Sequence, residues 1–238
     1  MIEAKGVKKV FGLRPVLRGV DLTVGPGEFV SLFGPNGAGK TTFLRILATL
    51  SRPTGGSVSI GGYALPRQAQ SARGLIGLVS HQTLLYGDLS AEENLRFFGR
   101  MYGMQPAERE ARIEAVLRAV NLGRRAGDLV RTFSRGMAQR LAIARAILHD
   151  PPVLLLDEPY TGLDQASAES LDAVLGEVAR RGRTILMTTH DIERGLALAD
   201  RAAILSRGVI AFQAARAELT ALSFAHTYAE VTGMASVR

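Results

Sequence analysis

No cysteine occurs in the 238 residues, which removes both a disulfide framework and a thiolate metal site and suits the reducing cytoplasm. No apolar run approaches the ~20 residues that a helix needs to cross a bilayer. The opening MIEAKGVKKVFG lacks the apolar segment of a secretory signal, so a cytoplasmic chain is expected. Internal repeats and low-complexity segments are also missing. Charge of one sign never gathers into a block. The net +7 comes from basic residues scattered largely as arginines on helical stretches, the pattern of a solvated surface. An excess of that sign can also draw a chain to nucleotides, to an anionic membrane face or to nucleic acid. What is present, 47% hydrophobic and 21% charged residues, is ordinary for a folded chain that buries one substantial core, or a main domain with a smaller lobe.

The most informative stretch is EFVSLFGPNGAGKTTFLRILATL, Glu28 to Leu50. A buried strand, Phe29–Phe33, stops at Gly34, and an amphipathic helix begins near Lys40. The intervening loop fits G-x-x-x-x-G-K-[ST] in the strand–loop–helix context that motif requires. Glycines let a backbone wrap closely around an anion. The unpaired amides at the start of the next helix then point at phosphate groups. Gly34, Pro35, Asn36, Gly37, Ala38, Gly39, Lys40, Thr41 and Thr42 are therefore expected to hold a nucleoside triphosphate. Lys40 would reach the β- and γ-phosphates and the Thr41 hydroxyl would ligate Mg²⁺. The glycine spacing does not follow the dinucleotide-binding G-x-G-x-x-G.

Before this loop, Ile2–Val10, Val16–Val24 and Glu28–Phe33 read as strands, with a turn at Gly25-Pro26-Gly27. Their short spacing predicts antiparallel pairing beside the nucleotide site. After it, Ser57–Ile60 and Leu75–Ser80 read as strands. From Leu89 to Leu122 the pattern turns helical, with a capping box at Ser90 and Glu93 and a first-turn proline at Pro106. Two successive helices inserted into an alternating strand–helix chain predict a separate helical lobe. A further helix follows Ser134, a strand covers Val153–Leu156, and Leu171, Val174, Leu175 and Val178 mark another helix. Thr184–Thr188 is the next strand, and strands around Ala202–Ser206 and Val209–Phe212 close the sheet. The tail to Arg238 is too short for another domain.

A second constellation is VLLLDEP, Val153 to Pro159. An apolar strand delivers two acids to its C-terminal end, where ligands of open α/β sheets gather. Asp157 is placed to hold Mg²⁺, and Glu158 to orient or deprotonate an attacking water. General-base help of that kind supplies roughly 10²- to 10⁴-fold, about 3–5 kcal/mol of barrier. Two such acids can also simply cap the next helix. His190, just past a strand end, could contact a γ-phosphate and fix both the water and Glu158, although a lone histidine is more often structural. Gln82 follows a strand that should end near the metal, but a loop glutamine is normally solvated. Phe11 could stack on a base or simply pack.

Taken together, GPNGAGKT, the glutamine of SHQ, FSRGMAQRLAIARAIL, LLLDEP, TGLD and TTH follow one another as in the ATP-binding cassette family, which the sequence resembles over nearly its whole length. The resemblance implies an α/β fold. A P-loop NTPase core with a mostly parallel sheet would carry an N-terminal antiparallel β-subdomain and an inserted α-helical subdomain. Residues 1–88 and 150–238 would form the core and 89–149 the helical part of a single domain. The implied ligands are ATP and Mg²⁺, the metal held by Thr41, Gln82 and Asp157. Phe11 becomes the adenine-stacking aromatic, Glu158 the catalytic base, His190 its partner, and Gln82 the link from metal to transport lobe. Ser134, Arg135, Gly136 and Met137 become the signature loop, which meets the opposite subunit's ATP in a head-to-tail dimer, and Asp164 the loop crossing between subunits. Against the usual LSGGQ, Phe133, Arg135 and Met137 replace leucine, glycine and glutamine, and Met137 cannot donate the glutamine's hydrogen bond.

The resemblance further implies an ATPase homodimer or heterodimer on the cytoplasmic face of the inner membrane, working with a separate transmembrane permease subunit and without nucleic acid. Leu84, Leu85, Tyr86, Phe97, Phe98 and Tyr102 lie where the family docks that subunit; most are expected to serve the helical lobe's own core and the remainder to form the docking surface. LYGDLSAEENLRFFGRMYG and HDPPVLLLDEPYTGLDQ look most like the ATP-binding subunit of the haem exporter of cytochrome c maturation. Drug or antibiotic exporters look similar. A soluble cassette ATPase of DNA repair or translation is a weaker fit, because no second cassette, coiled coil or zinc-binding cysteine is present.

Overall fold

Alternation of apolar and polar residues at the start of the first strand, Ile2 to Lys5, against unbroken apolar runs in later ones, separates two sheets. The computed structural model describes residues 1–233. In chain order the elements are β1 (Ile2–Phe11), β2 (Arg14–Val24), β3 (Phe29–Phe33), α1 (Lys40–Leu47), β4 (Gly55–Ile60), β5 (Tyr63–Leu65), α2 (Ala69–Arg73) and β6 (Ile76–Val79). There follow α3 (Ala91–Met101), α4 (Pro106–Ala119), α5 (Arg135–Ile147), β7 (Val153–Asp157), α6 (Gln165–Arg180), β8 (Thr184–Thr188), α7 (Ile192–Leu198), β9 (Arg201–Ser206), β10 (Val209–Ala215) and α8 (Ala221–Thr232).

The first sheet is antiparallel, in the order β2-β1-β4-β5, and buries one face, including Ile2, Ala4 and Val7 of β1. The second runs β10-β9-β3-β8-β7-β6, parallel from β9 to β6 with β10 antiparallel at the edge. Every residue of β3, β7 and β8 is buried, as parallel strands covered on both faces require. This corrects the antiparallel expectation for β3. The Gly25-Pro26-Gly27 turn carries the chain out of the first sheet, and β3 pairs in parallel with β8 and β9 because its apolar run suits a doubly covered position. Strand β9 is likewise interior, and β10 alone closes that edge.

Along β7 the side chains divide by pleat. Val153 and Leu155 join α1 and the antiparallel sheet in one core, while Leu154 and Leu156 join α3 to α6 in another. The buried residues of α3, α4 and α5 thus share a core with β7, β8 and α6, so the helical segment has no separate core of its own. A third cluster forms around Phe33, where Phe224 of α8 meets its ring at 4.7 Å and 59°. Helix α8 was not expected from the tail; its capping box at Thr220 and Ser223 is the signal that marks its start. Residues 234–238 of that tail lie outside the described residues.

Two polar side chains join the helical segment to the rest. Arg145 of α5 is buried, has no carboxylate partner among the described residues, and donates to the carbonyls of Leu78 (2.9 Å), Thr83 (2.7 Å) and Leu84 (3.2 Å), and burial pushes its pKa down. Asn94 of α3, fully buried, accepts from the Tyr86 amide at 2.8 Å and donates to the carbonyls of Tyr86 (3.0 Å) and Ser90 (2.9 Å). Of the six apolar residues expected mainly in the core, only Leu85 and Phe98 pack against it. Leu84, Tyr86, Phe97 and Tyr102 are exposed, which corrects that expectation. Asn94 holds the loop in this position by bonding backbone groups of Tyr86 and Ser90, of which the Tyr86 amide has no other partner among the described residues. Asn94→Ala is expected to lower unfolding free energy by about 1–3 kcal/mol in urea titration, since it leaves that amide unpaired.

Candidate functional site

The loop between β3 and α1 depends on glycine at two positions. Gly34 (φ 155°) presses against the Leu205 carbonyl, which an added Cβ would collide with, and at Gly39 (φ 109°) a Cβ would lie 2.7 Å from Leu17 Cδ2. Gly39 is the N-cap of α1 and no side chain caps that helix, so its first amides remain available to an anion. Lys40 is 6% exposed; its Nζ donates to the Gly34 carbonyl at 2.6 Å and lies 3.2 Å from Glu158 Oε1.

The acids arrive from the neighbouring strands. Asp157, the last residue of β7, pairs in register with Thr188 at the end of β8. Its Oδ1 accepts from Thr188 Oγ1 at 2.8 Å and from Thr41 Oγ1 at 3.2 Å. Glu158 has φ 51°, a left-handed conformation that is costly for a side-chain-bearing residue. Its amide donates to both the carbonyl and the hydroxyl of Thr188, each at 3.1 Å. The turn presents its carboxylate to Lys40 on one oxygen and, on the other, to His190 Nδ1 at 2.7 Å. With Glu158 ionised, His190 Nδ1–H is the donor. These groups border a cleft of about 500 Å³, which Pro35, Asn36, Gly37, Gly39, Lys40, Thr41, Thr42, Glu158 and His190 help to line.

Arg14, Val16, His81 and Thr161 also line this cleft and were not anticipated. Arg14 and Val16 come from β2, brought over the phosphate loop only by sheet packing. His81 precedes the glutamine already singled out, and that neighbourhood was its one sequence signal. Gln82 does not line the cleft. It borders an adjacent hollow of about 420 Å³ that shares Thr41 and His81 with the cleft and that Asp157 also lines. Phe11 is exposed beside a third hollow with Thr41, Thr42 and Arg45, with Lys9 Nζ 4.8 Å from its ring centroid.

The residues expected to meet another subunit's nucleotide lie elsewhere. Ser134 caps α5, its Oγ accepting from the Met137 amide at 3.2 Å. Gly136 packs so closely on Ser167 of α6 that a Cβ would come within 2.5 Å of Ser167 Oγ. Arg135 lies against Gly162, and Met137 packs its side chain on the core. Asp164 caps α6 by accepting from the Ser167 amide at 2.7 Å, a bond that holds its carboxyl below the usual range. Ser167 thus brings the signature segment and Asp164 together, but none of them lines the cleft of the same chain.

A sequence profile of the ABC transporter family matches residues 17–161, more than half of the chain. The linearmycin resistance ATP-binding protein LnrL of Bacillus subtilis is 36% identical over 208 residues, covering 87% of this chain and 67% of that protein. The Nod factor export ATP-binding protein I of Paraburkholderia xenovorans is 40% identical over 207 residues, covering 87% of this chain and 68% of that protein. The chain thus spans about two thirds of the length of these relatives. A solved ATP-binding cassette, dimeric in a post-hydrolysis state with ADP and phosphate bound, superposes with a TM-score of 0.82 at 31% identity, covering 91% of this chain and 99% of that one. With its phosphate loop, paired acids and strand-end histidine converging in a fold shared with such cassettes, the chain belongs to the ABC transporter family as an ATP-hydrolysing subunit.

Proposed function

We propose that Glu158 activates water for attack on ATP in a head-to-tail dimer, and that the cycle drives export of a small molecule through a separate membrane-spanning subunit. The observation that carries the chemistry is the Glu158 carboxylate, held between Lys40 (3.2 Å) and His190 (2.7 Å) at the mouth of the phosphate loop. Water attacks the γ-phosphorus and gives its proton to Glu158 as the bond to the bridging oxygen breaks, releasing ADP and phosphate. His190 orients Glu158 and the water, and Lys40 and the α1 amides take up charge on the phosphates.

Thr41 and Asp157 place a hydroxyl and a carboxylate 3.2 Å apart. Such a pair suits Mg²⁺, which takes one or two protein oxygens and completes its shell with phosphate and water. Gln82, in the adjoining hollow, is the third proposed ligand. When bound, the metal neutralises charge on the β- and γ-phosphates. Phe11 is the proposed platform for adenine, beside the hollow it shares with Thr41 and Thr42.

Ser134, Arg135, Gly136, Met137 and Asp164 all lie away from their own cleft, with Ser134, Arg135 and Asp164 exposed, which supports a second ATPase subunit that brings its cleft to them. The solved relative is itself dimeric. The same residue types support a homodimer or a heterodimer. No helix among the described residues is long and apolar enough to cross a membrane, which fits a peripheral subunit on the cytoplasmic face. The relatives reported above are named for linearmycin resistance and Nod factor export, and they favour a small-molecule exporter over the haem exporter of the sequence resemblance. The segments that carried the haem resemblance line the nucleotide machinery and its helical neighbours rather than any cargo path.

The exposed residues Leu84, Tyr86, Phe97 and Tyr102 form the proposed docking face for the membrane subunit. Tyr86 and Phe97 meet edge to face at 5.1 Å, so the face is a packed aromatic surface rather than scattered side chains.

Glu158→Gln is expected to bind ATP as the wild type does, to lose hydrolysis by about 10²-fold or more, and to accumulate as a dimer in light scattering. Wild-type turnover in that variant would remove the base assignment. Leu84→Asp and Tyr86→Ala, both at exposed positions, are expected to abolish co-purification with the membrane subunit while leaving the melting temperature within about 2 °C. Retained co-purification would move the docking face elsewhere.

A further inference from the structure

Glu158 and His190 stand on loops from two different strands. The β7–β8 ladder ends at Asp157 and Thr188, and Glu158 adds one backbone bond to Thr188 beyond it. The 2.7 Å contact between their side chains lies beyond those bonds, and a further tie joins the two segments. One guanidinium supplies it. Arg194 lies in α7, one helical turn past His190, and its side chain is only 16% exposed. Its Nη1 is paired with Asp172 of α6, and its Nη2 donates to Gln165 Oε1, the first residue of α6, at 2.9 Å. Its Nε lies 3.4 Å from Asp191, the residue after His190. Its plane lies over the Tyr160 ring, 5.6 Å from centroid to carbon.

Tyr160 completes the set. It follows Glu158 by two positions, is buried, and donates its hydroxyl to Asp172 Oδ1 at 2.7 Å. Burial, with the negative charge of Asp172, pushes the phenol well above its ordinary range, so it remains a donor. Asp172 is thereby held on one oxygen from the Glu158 loop and on the other from the His190 helix. No motif of the nucleotide site includes Tyr160, Asp172 or Arg194, and none of the three lines the cleft.

We propose that Arg194, anchored through Asp172 to Tyr160, is a positioning residue that sets Glu158 against His190 and passes movement of the Asp164–Gln165 segment to that pair. The proposal rests on Glu158 being the base. Its physical basis is the fork. A guanidinium can bond Asp172 and Gln165 at once while stacking on Tyr160, whereas an ammonium is a point charge that cannot. A shift of Gln165 when a second subunit engages Asp164 would then move Arg194, and with it the helix that follows His190.

The test uses the purified full chain with Mg–ATP. Arg194→Ala is expected to lower kcat about 10-fold or more and Arg194→Lys to recover only part of it, because the charge returns without the fork. Tyr160→Phe, which deletes one hydroxyl and is the safer variant for folding, is expected to lower kcat about 3-fold or more. In all three, ATP affinity should stay within about 2-fold, and Arg194→Ala should add nothing to the loss already caused by Glu158→Gln. A folded Arg194→Ala with kcat within about 2-fold of wild type would overturn the proposal. So would a Tyr160→Phe whose kcat is unchanged, or one in which kcat and ATP affinity fall together. Full turnover in Glu158→Gln would instead strike at the base assignment and leave a distinct signature.

Discussion

Thr188 makes the contacts on which the geometry of the paired acids rests. Its hydroxyl donates to Asp157 and accepts from the Glu158 amide, and its carbonyl accepts from that same amide. One residue at the end of β8 therefore fixes both acids at the end of β7. The carboxylate of Asp157 is turned toward Thr41, and the backbone of Glu158 is held in a left-handed conformation that it would not adopt unaided. That turn sends two adjacent carboxylates into different surroundings. Asp157 stays buried beside a hydroxyl, while Glu158 reaches into the cleft between an ammonium and an imidazole.

The rest of the fold exists to bring three strand ends to one place. β3 lies between β9 and β8, and β7 lies beyond β8, so the phosphate loop, the histidine and the paired acids leave the same edge of one parallel sheet. Two cores clamp that sheet, the antiparallel sheet with α1 on one face and α3 to α6 on the other. Helix α8 and α7 seal the Phe33 end, immediately before the loop begins. Displacing any of these layers would move one strand end relative to another, and the site is sensitive to shifts of about 1 Å.

Outward from the site, the helical segment is joined to the sheet through a buried arginine. Arg145 ties α5 to the carbonyls of Leu78, Thr83 and Leu84 on either side of Gln82, so the hollow that Gln82 lines and the loop leading to Tyr86 are held from the same helix. A buried guanidinium bound only to carbonyls is costly to misplace, since its charge has no nearby anion to fall back upon.

What the sequence determined by itself was local. The phosphate loop, the capping boxes at Ser90, and the strand that delivers Asp157 and Glu158 are each written in consecutive residues, because backbone conformation and helix capping depend on near neighbours. The membership of β3 in the parallel sheet was also latent in its unbroken apolar run, although strand spacing suggested otherwise. Only the tertiary structure decided which side chains from distant segments share a space. Arg14 and Val16 over the phosphate loop, Thr188 behind both acids, and the bond of Tyr160 to Asp172 join residues with no common motif. The exposure of Leu84 and Tyr86 was decided in the same way, by Asn94 and Arg145 holding their loop from beneath, since burial depends on what packs behind a residue and not on its own hydrophobicity.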